Sequence, residues 1–480
     1  MTSVNDPNSF WDDVLERFRN RTALVSADGQ NISFAKLDRA ISNIADILVD
    51  YGATPDARVA CTIPNFAVTV AFWFATWRLG GHVMTAPNPQ HFEPFGLAPD
   101  FVLVPSGTHT SVGKAVPVHS KLLIDEHGVQ TRSEAGKTYF VTANTPRDTR
   151  AMAVSPNQIV QDGLRYYTLL GAPRGGIYMT TGLSSLRAMR DVFRSMHAGV
   201  HIIGGDVAPD AAWPLIRETE VRELMLSPLS LHLILKHANS TDQIHRIDRV
   251  FVGAGTATPD LLHRAHAFFE GGITLGAGTN ETSVYAVKEF DPETYRKGQI
   301  GQTCCGIVGE VRDANGTAVA NDQIGQLALW VPKDQRFEGY VKAASAYDED
   351  GWVFPGFLAK MTADGEITKL GRTDDRINLG GTRLFSGKLE AQLERLPSVR
   401  RAAAIRVYAP DGAEALGVAI EPGEAFHADS LHQSMSRSLR GIGEIFVKPM
   451  SQLPTDAEGN LDRQELELVW PTLPTTLDTN

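Results

Sequence analysis

GWVFPGFLAKMTADGEITKLGRTDDRINLGGTRLFSGKLE, residues 351–390, is the stretch on which the reading of the whole chain turns. Gly351-Trp352 opens a strand and Ala363-Asp364-Gly365 turns it back. The chain returns as an apolar strand and reaches Arg372-Thr373-Asp374-Asp375, a charged, turn-prone link between two strand-like runs. That pattern is expected of a hinge. A short strand of Arg376, Ile377, Asn378 and Leu379 follows, then a Gly380-Gly381 turn and a helix from near Ser386. Two adjacent glycines let a backbone approach a ligand closely. Taken alone, the pattern also reads as an ordinary hairpin followed by a linker.

Working outward, the charge balance narrows the classes. The chain has 480 residues, 42% of them hydrophobic and 21% charged, the composition of a globular protein with two to four domains. A formal net charge of -11 argues against a nucleic-acid partner. The 3 cysteines, at positions 61, 304 and 305, have no metal-ligand spacing, and neighbouring cysteines seldom bridge each other. They fit a reducing, cytoplasmic setting. The N-terminal MTSVNDPNSFWDDVLERF lacks the basic-then-apolar pattern of a signal peptide, and no apolar run is long enough for a membrane span.

Helical periodicity is expected over residues 9–20, 35–49, 66–79, 183–197 and 259–269. Strands are expected at 22–25, 32–34, 58–63, 174–181, 200–204, 223–227, 250–255, which runs into a Gly-rich turn, and 273–275, which leads to GAGTNETS, where a turn with a solvated Glu281 is the competing reading. This alternation predicts an α/β layer architecture. Residues 298–330, rich in β-branched residues and glycine, predict a bent β subdomain. Strand and helix runs at 386–396, 399–407, 415–420 and 427–439 suffice for a small α+β unit.

The residues Gly351, Trp352, Gly356, Gly371, Arg372, Asp374, Asp375, Ile377, Gly380, Gly381 and Leu384 resemble one family pattern. It is GW-x-x-TGD followed by GR-x-DD-x-I-K-x-GG. The family is the adenylate-forming enzymes: acyl- and aryl-CoA synthetases, adenylation domains of peptide synthetases, and luciferases. SFAKLDRAISNIADILVDYGATPDARVA from residue 33, IPNFAVTVAFWFATWRLGG from residue 63 and Asn88-Pro89 resemble its N-terminal sequence. The resemblance spans nearly the whole chain and is weakest between residues 90 and 175. It implies a large multi-layer AMP-binding-like domain over residues 1–373, carrying the acyl pocket. A small mobile α+β lid over 374–480 would rotate about Asp374.

Four sites carry adenylation in that family, and each is altered here. The phosphate loop, TSGTTG-x-PKG, falls on residues 142–151, with a strand before it and Ser155-Pro156-Asn157 after it. Thr142, Thr145, Arg147 and Arg150 are its candidate nucleotide contacts. The loop has lost its glycines; Pro146 removes a backbone donor and Asp148 adds a negative charge. A polar surface loop is the competing reading. The family's YG-x-TE falls on Ala277, Gly278, Thr279, Asn280 and Glu281. Glu281 is the candidate Mg2+ ligand, Asn280 replaces the Thr that touches phosphate, and Ala277 removes the aromatic face for adenine. The ribose-binding Asp is replaced by Phe357, which cannot accept hydrogen bonds; Arg372 remains as a nucleotide contact. The lid's catalytic Lys is replaced by Asn460, and nearby Lys448 could stand in for it only by reaching from another position.

The same resemblance implies an acyl pocket beside Tyr178 and Met179. Val252, Gly253, Ala254 and Gly255, with residues 276–278, would floor it, and Gly276 and Gly278 would line it. Plain core is the competing reading for Tyr178 and Met179. Thr180, Thr181, Ser184 and Ser185 favour an aryl or aliphatic acid over an amino acid. Gly380 and Gly381 would meet a pantetheine arm. The implied ligands are a small carboxylic acid, acyl adenylate or thioester, and ATP or AMP with Mg2+, weakened. CoA or the phosphopantetheine of an acyl carrier protein is the implied thiol. Two readings stay open: a ligase-like biosynthetic enzyme with impaired adenylation that transfers activated acyl groups, or a catalytically silent scaffold.

Overall fold

In the computed structural model, the described residues are 7–86, 88–118, 134–143, 149–180, 182–204, 207–238, 246–373, 376–379, 382–409, 414–424, 426–439, 444–455 and 459–472. The predicted alternation becomes two large sheets with helices between and outside them. In the first sheet, six strands run parallel in the order Thr22–Val25, Ile202–Ile203, Gly176–Met179, Val221–Leu226, Arg249–Val252, Gly272–Thr279. Ser283–Glu289 turns back antiparallel on the last of these. Antiparallel strands Gln299–Thr303, Ile367–Arg372, Phe357–Met361, Gly325–Trp330 and Val308–Arg312 then continue the same sheet. This is the expected β-rich region.

The second sheet follows the order Gly339–Tyr340, Thr149–Val154, Thr138–Ala143, His82–Thr85, Arg58–Cys61, Phe101–Pro105, Lys114–Val118. One buried cluster takes Leu24, Ile177 and Met179 from the first sheet and Val59, Val83, Leu103 and Phe140 from the second. It also takes the inner faces of helices Phe34–Asp50, Phe66–Arg78, Pro156–Leu170 and Leu186–Ala198. Those helices therefore form a layer between the sheets. Helices Pro209–Glu218, Pro228–His237 and Pro259–Phe268 cover the other face of the first sheet, around Tyr178, Leu224 and Val250. A parallel sheet buried on both faces explains why its strands are apolar runs rather than alternating ones.

Of the stretch from Gly351, the described residues hold the expected hairpin, short strand and helix, with Trp352–Val353 a separate strand. Phe357–Met361 pairs with Ile367–Arg372 through a turn in which Gly365 adopts φ 84. Arg376–Leu379 then pairs with Thr382–Phe385, and Ser386–Leu393 is helical. Asp374, Gly380 and Gly381 lie outside the described residues. The C-terminal sheet is Val399–Tyr408, Glu414–Pro422 and Ile445–Pro449, with its own buried clusters around Val418 and Leu466. Its third strand and the helix Arg463–Val469 were not expected from the sequence.

Two local readings are corrected. Phe34 begins a helix rather than ending a strand, because the Ser33 hydroxyl caps it by accepting from Lys36 N. Residues 276–278 belong to the strand Gly272–Thr279, not to a turn. Their glycines serve close packing: a β-carbon on Gly276 would stand 2.0 Å from Phe251 Cζ, and one on Gly278 2.7 Å from the Ser283 carbonyl. Among the described residues, no helix is long and apolar enough to cross a membrane.

Candidate functional site

Met179, Leu226, Val252 and Thr279 end neighbouring strands, so the turns after them share one edge of the first sheet. Ligands of open α/β sheets bind outside such carboxyl ends. The next helices start close by, capped by Ser185, Ser227 and Thr258. Each cap's hydroxyl accepts from a backbone amide of its helix's first turn, which fixes where the helix begins.

Glu281 sits in the hairpin after Thr279 and is 8% exposed. The Tyr340 hydroxyl donates to its Oε1 at 2.5 Å, and the Tyr347 hydroxyl donates to its backbone carbonyl at 2.5 Å. The Arg150 guanidinium lies 4.8 Å over the Tyr340 ring. Burial and the Glu281 carboxylate together hold the Tyr340 phenol protonated well above its usual range. Thr279 and Thr282 hydroxyls lie 3.1 Å apart across the turn, and Ser283 takes φ 59, with its hydroxyl accepting from Arg190. Asn280 is half-buried in the same turn, and Ala277 packs into the cluster of Tyr285 and Leu327.

Across this edge, Asn460 Nδ2 donates to the Ala254 carbonyl at 3.0 Å. Ala254 holds φ 65. A β-carbon on Gly255 would stand 2.7 Å from Asn460 Oδ1 and 3.2 Å from Pro228 Cδ, so Gly255 faces Asn460. Gly459, at φ 83, packs on Leu229 in the same way. Lys448 is turned elsewhere: its Nζ donates to the Trp470 carbonyl at 2.9 Å and lies 5.0 Å over that ring.

Phe357 is paired across strands with Arg372. Lys369 Nζ lies 3.6 Å and the Arg372 guanidinium 5.7 Å from the centre of its ring. Burial, then the charge of Arg372, pushes the Lys369 ammonium down to about 8. Phe357, expected at the ribose position, thus carries two cations on its ring and offers no acceptor for ribose hydroxyls. The residues do not fit that kind of ribose clamp.

Tyr178 and Met179 have no accessible surface, and the Tyr178 hydroxyl donates to the Val207 carbonyl at 3.0 Å. They underlie the sheet edge rather than open onto it. Gly253 is buried; a β-carbon there would stand 3.1 Å from the Gly276 carbonyl and 3.3 Å from Arg187 Nη1. Val252, Gly253, Gly276 and Arg187 are therefore brought together. Thr142 pairs with Arg150 in the hairpin of Thr138–Ala143 and Thr149–Val154. Thr145 and Arg147 lie outside the described residues.

Among the described residues, no group of 3 or more His, Cys, Asp or Glu side chains is placed to hold a metal. Glu281 suits Mg2+ only where phosphate oxygens complete the shell, the usual arrangement for that ion. Sequence reasoning missed Arg187, Tyr340, Tyr347 and Lys369. A signal for Arg187 existed: Arg187, Arg190 and Arg194 recur at helical spacing along Leu186–Ala198 beside its apolar positions.

The family model described as "AMP-binding enzyme" matches residues 11–91 and 185–341. Triostin synthetase I of Streptomyces triostinicus is 25% identical over 95% of this chain and 92% of its own. A 3-hydroxybenzoate–CoA/4-hydroxybenzoate–CoA ligase of Thauera aromatica is 25% identical over 56% of this chain and 54% of its own. The solved ATP-bound MatB of Rhodopseudomonas palustris has a TM-score of 0.81 at 17% identity, covering 95% of this chain and 98% of that one. That last likeness is one of fold.

Proposed function

We propose that this chain, which belongs to the adenylate-forming superfamily of AMP-binding enzymes, handles a carboxylic acid, or its activated acyl form, with impaired adenylation of its own. The acyl group passes to a thiol of CoA or of a carrier protein. The aryl acids named for the Thauera relative are the acid class tested first.

The observation that carries this reading is the seat of Asn460. Its side chain reaches the turn after Val252 and bonds the Ala254 carbonyl. A lysine at that position would bring a positive charge to the shifting charge between carboxylate and phosphate; a neutral amide does not. Loss of one such preorganised group costs about 10²–10³ in rate. The cations around Phe357 add a second defect, since two hydroxyl–carboxylate bonds of about 1.5–3 kcal/mol each are missing.

Thiol attack on an activated acyl carbon does not need that lysine. The thiolate adds to the carbonyl, the acyl–sulfur bond forms, and the bond to the leaving phosphate or thiol breaks. What the chain supplies is position: the glycine floor at 253 and 276, the lid carrying Asn460, and a hinge at Asp374. Where a nucleotide with Mg2+ binds, Glu281 would hold the metal and Arg150 and Arg372 the phosphates. The group would supply a good leaving group.

The test compares carboxylate-dependent pyrophosphate exchange with acyl transfer from a synthetic aryl adenylate to CoA or a carrier protein. Slow exchange with measurable transfer supports the reading. Exchange at a rate normal for a ligase overturns the impairment. Neither activity, with binding of the acid retained, would favour a silent scaffold, to which Phe357 in the ribose position also points.

A further inference from the structure

Arg187 leaves the first turn of Leu186–Ala198, and its ion pair with Asp191 is a long one. Its Nε is 3.8 Å from Asp191 Oδ2, too long for a hydrogen bond. Asp191 is fully buried and feels the charges of Arg190, Arg194 and Glu223 as well, so its carboxylate is shared rather than given to Arg187 alone. Burial pushes that carboxyl above its ordinary range in spite of the guanidiniums. Arg194 is better served, by a bidentate pair with Glu223 at 2.6 and 3.1 Å.

Nε and Nη2 of Arg187 are buried without a hydrogen-bond acceptor among the described residues. The third nitrogen, Nη1, points to Gly253: it lies 3.3 Å from where a β-carbon on that glycine would stand. The guanidinium spreads over the Phe251 ring at 5.6 Å, and 15% of the side chain remains exposed. A cation held in this way is costly unless an anion completes it. The missing side chain at Gly253 leaves its outer edge uncovered.

We propose that Arg187 is a specificity-determining residue that binds a second carboxylate of the substrate, remote from the one that is activated, so that the preferred acid is dicarboxylic. The inference rests on the reading of Gly253 and Gly276 as the floor of the acyl pocket. In this arrangement Nη1 donates to the remote carboxylate while Asp191 anchors the other side of the guanidinium. The reacting carboxylate lies toward Ala254 and Asn460.

The experiment titrates terephthalate, isophthalate and glutarate, each against its monoamide, into the full chain by calorimetry. Wild type, Arg187→Met and Gly253→Ala are compared, with thermal unfolding as the folding control. The expected wild-type preference for diacid over monoamide is about 10–100-fold, the worth of one charge-assisted contact. Arg187→Met should erase that ratio and leave monoamide affinity within a few-fold. Gly253→Ala keeps the tie between Arg187 and Asp191 and places a methyl group against Nη1. It also brings that methyl 3.1 Å from the Gly276 carbonyl, so both probes should weaken, the diacid several-fold more than the monoamide; that fall in the ratio keeps the test decisive if Arg187→Met does not fold.

Monoamides that bind as tightly as diacids would overturn the role of Arg187 and leave the pocket standing. An equal loss for both probe types in Arg187→Met would put Arg187 at the activated carboxylate, and overturn the proposal as well. Wild type that binds no acid at all would overturn the pocket and this inference together.

Discussion

Asn460 and Ala254 are joined by a 3.0 Å hydrogen bond, from a side-chain amide to a backbone carbonyl 206 residues earlier. The bond ties the C-terminal unit to the edge of the central sheet. Its acceptor belongs to a residue in the left-handed region, φ 65, which turns the chain sharply after Val252. The same turn presents Gly253 to Arg187 on one side and Gly255 to Asn460 on the other.

Asn460→Lys should not restore adenylation. The lysine effect, about 3–4 kcal/mol, is joined by two lost ribose bonds of about 1.5–3 kcal/mol each. If additive these reach about 10⁴–10⁷ in kcat/KM, and groups that act as a unit fall short of additivity. Pyrophosphate exchange over aryl and aliphatic acids reads this directly. A variant that reaches the rate of a normal ligase would show that Phe357 is no obstacle.

Gly255→Leu should loosen the lid rather than fill the acyl pocket. The new side chain starts 2.7 Å from Asn460 Oδ1 and 3.2 Å from Pro228. Overpacking of this kind costs about 1–3 kcal/mol, and the bond to Ala254 gives way first. Amide hydrogen exchange across residues 459–466 should speed up, while acid binding stays within a few-fold. Unchanged exchange together with abolished acid binding would return Gly255 to the pocket.

Lys369 should make stability depend on alkaline pH. Its ammonium is lowered from 10.5 to about 8 in the folded chain. Between those values the unfolded chain holds the proton and the folded chain does not, so stability rises with pH across that window. Below it the penalty is present in full. Lys369→Met should therefore be more stable than wild type at neutral pH, with the difference shrinking toward pH 10.5. Lys369 as a whole is half-buried, so solvent screening makes the effect smaller than the full shift would give. Urea midpoints of both proteins from pH 7 to 10.5 decide it; parallel curves would mean the proton stays on.

Arg194→Met should be strongly destabilising. It leaves Glu223 buried with Arg249, 3.8 Å away, as its remaining ion-pair partner among the described residues. Breaking a buried pair from one side costs about 3–5 kcal/mol. Adding Glu223→Leu should recover part of the loss, because no lone charge remains. A double variant as unstable as the sum of the singles would mean that the pair contributes no coupling.

The layered fold could be read before any coordinates because its determinants are local. Apolar runs of 4 to 6 residues between capped helices encode a buried parallel sheet, and Ala363-Asp364-Gly365 encodes its own turn. The expectations for Phe357 and Asn460 rest on the same kind of local reading: a motif's register assigns a residue a place, whatever surrounds it. What a residue meets there is a matter of distant chain. Tyr340 reaches Glu281 from 59 residues away, because Gly339–Tyr340 adds to the second sheet beside Met152. Lys369 shares a ring with Arg372 only because Phe357–Met361 folds back in that one register. The meeting of Arg187 with Gly253 was beyond the reach of periodicity altogether. It needs a helix and a strand from different units of the sheet to be packed with no side chain between them, and close packing of that kind is a property of the assembled layers.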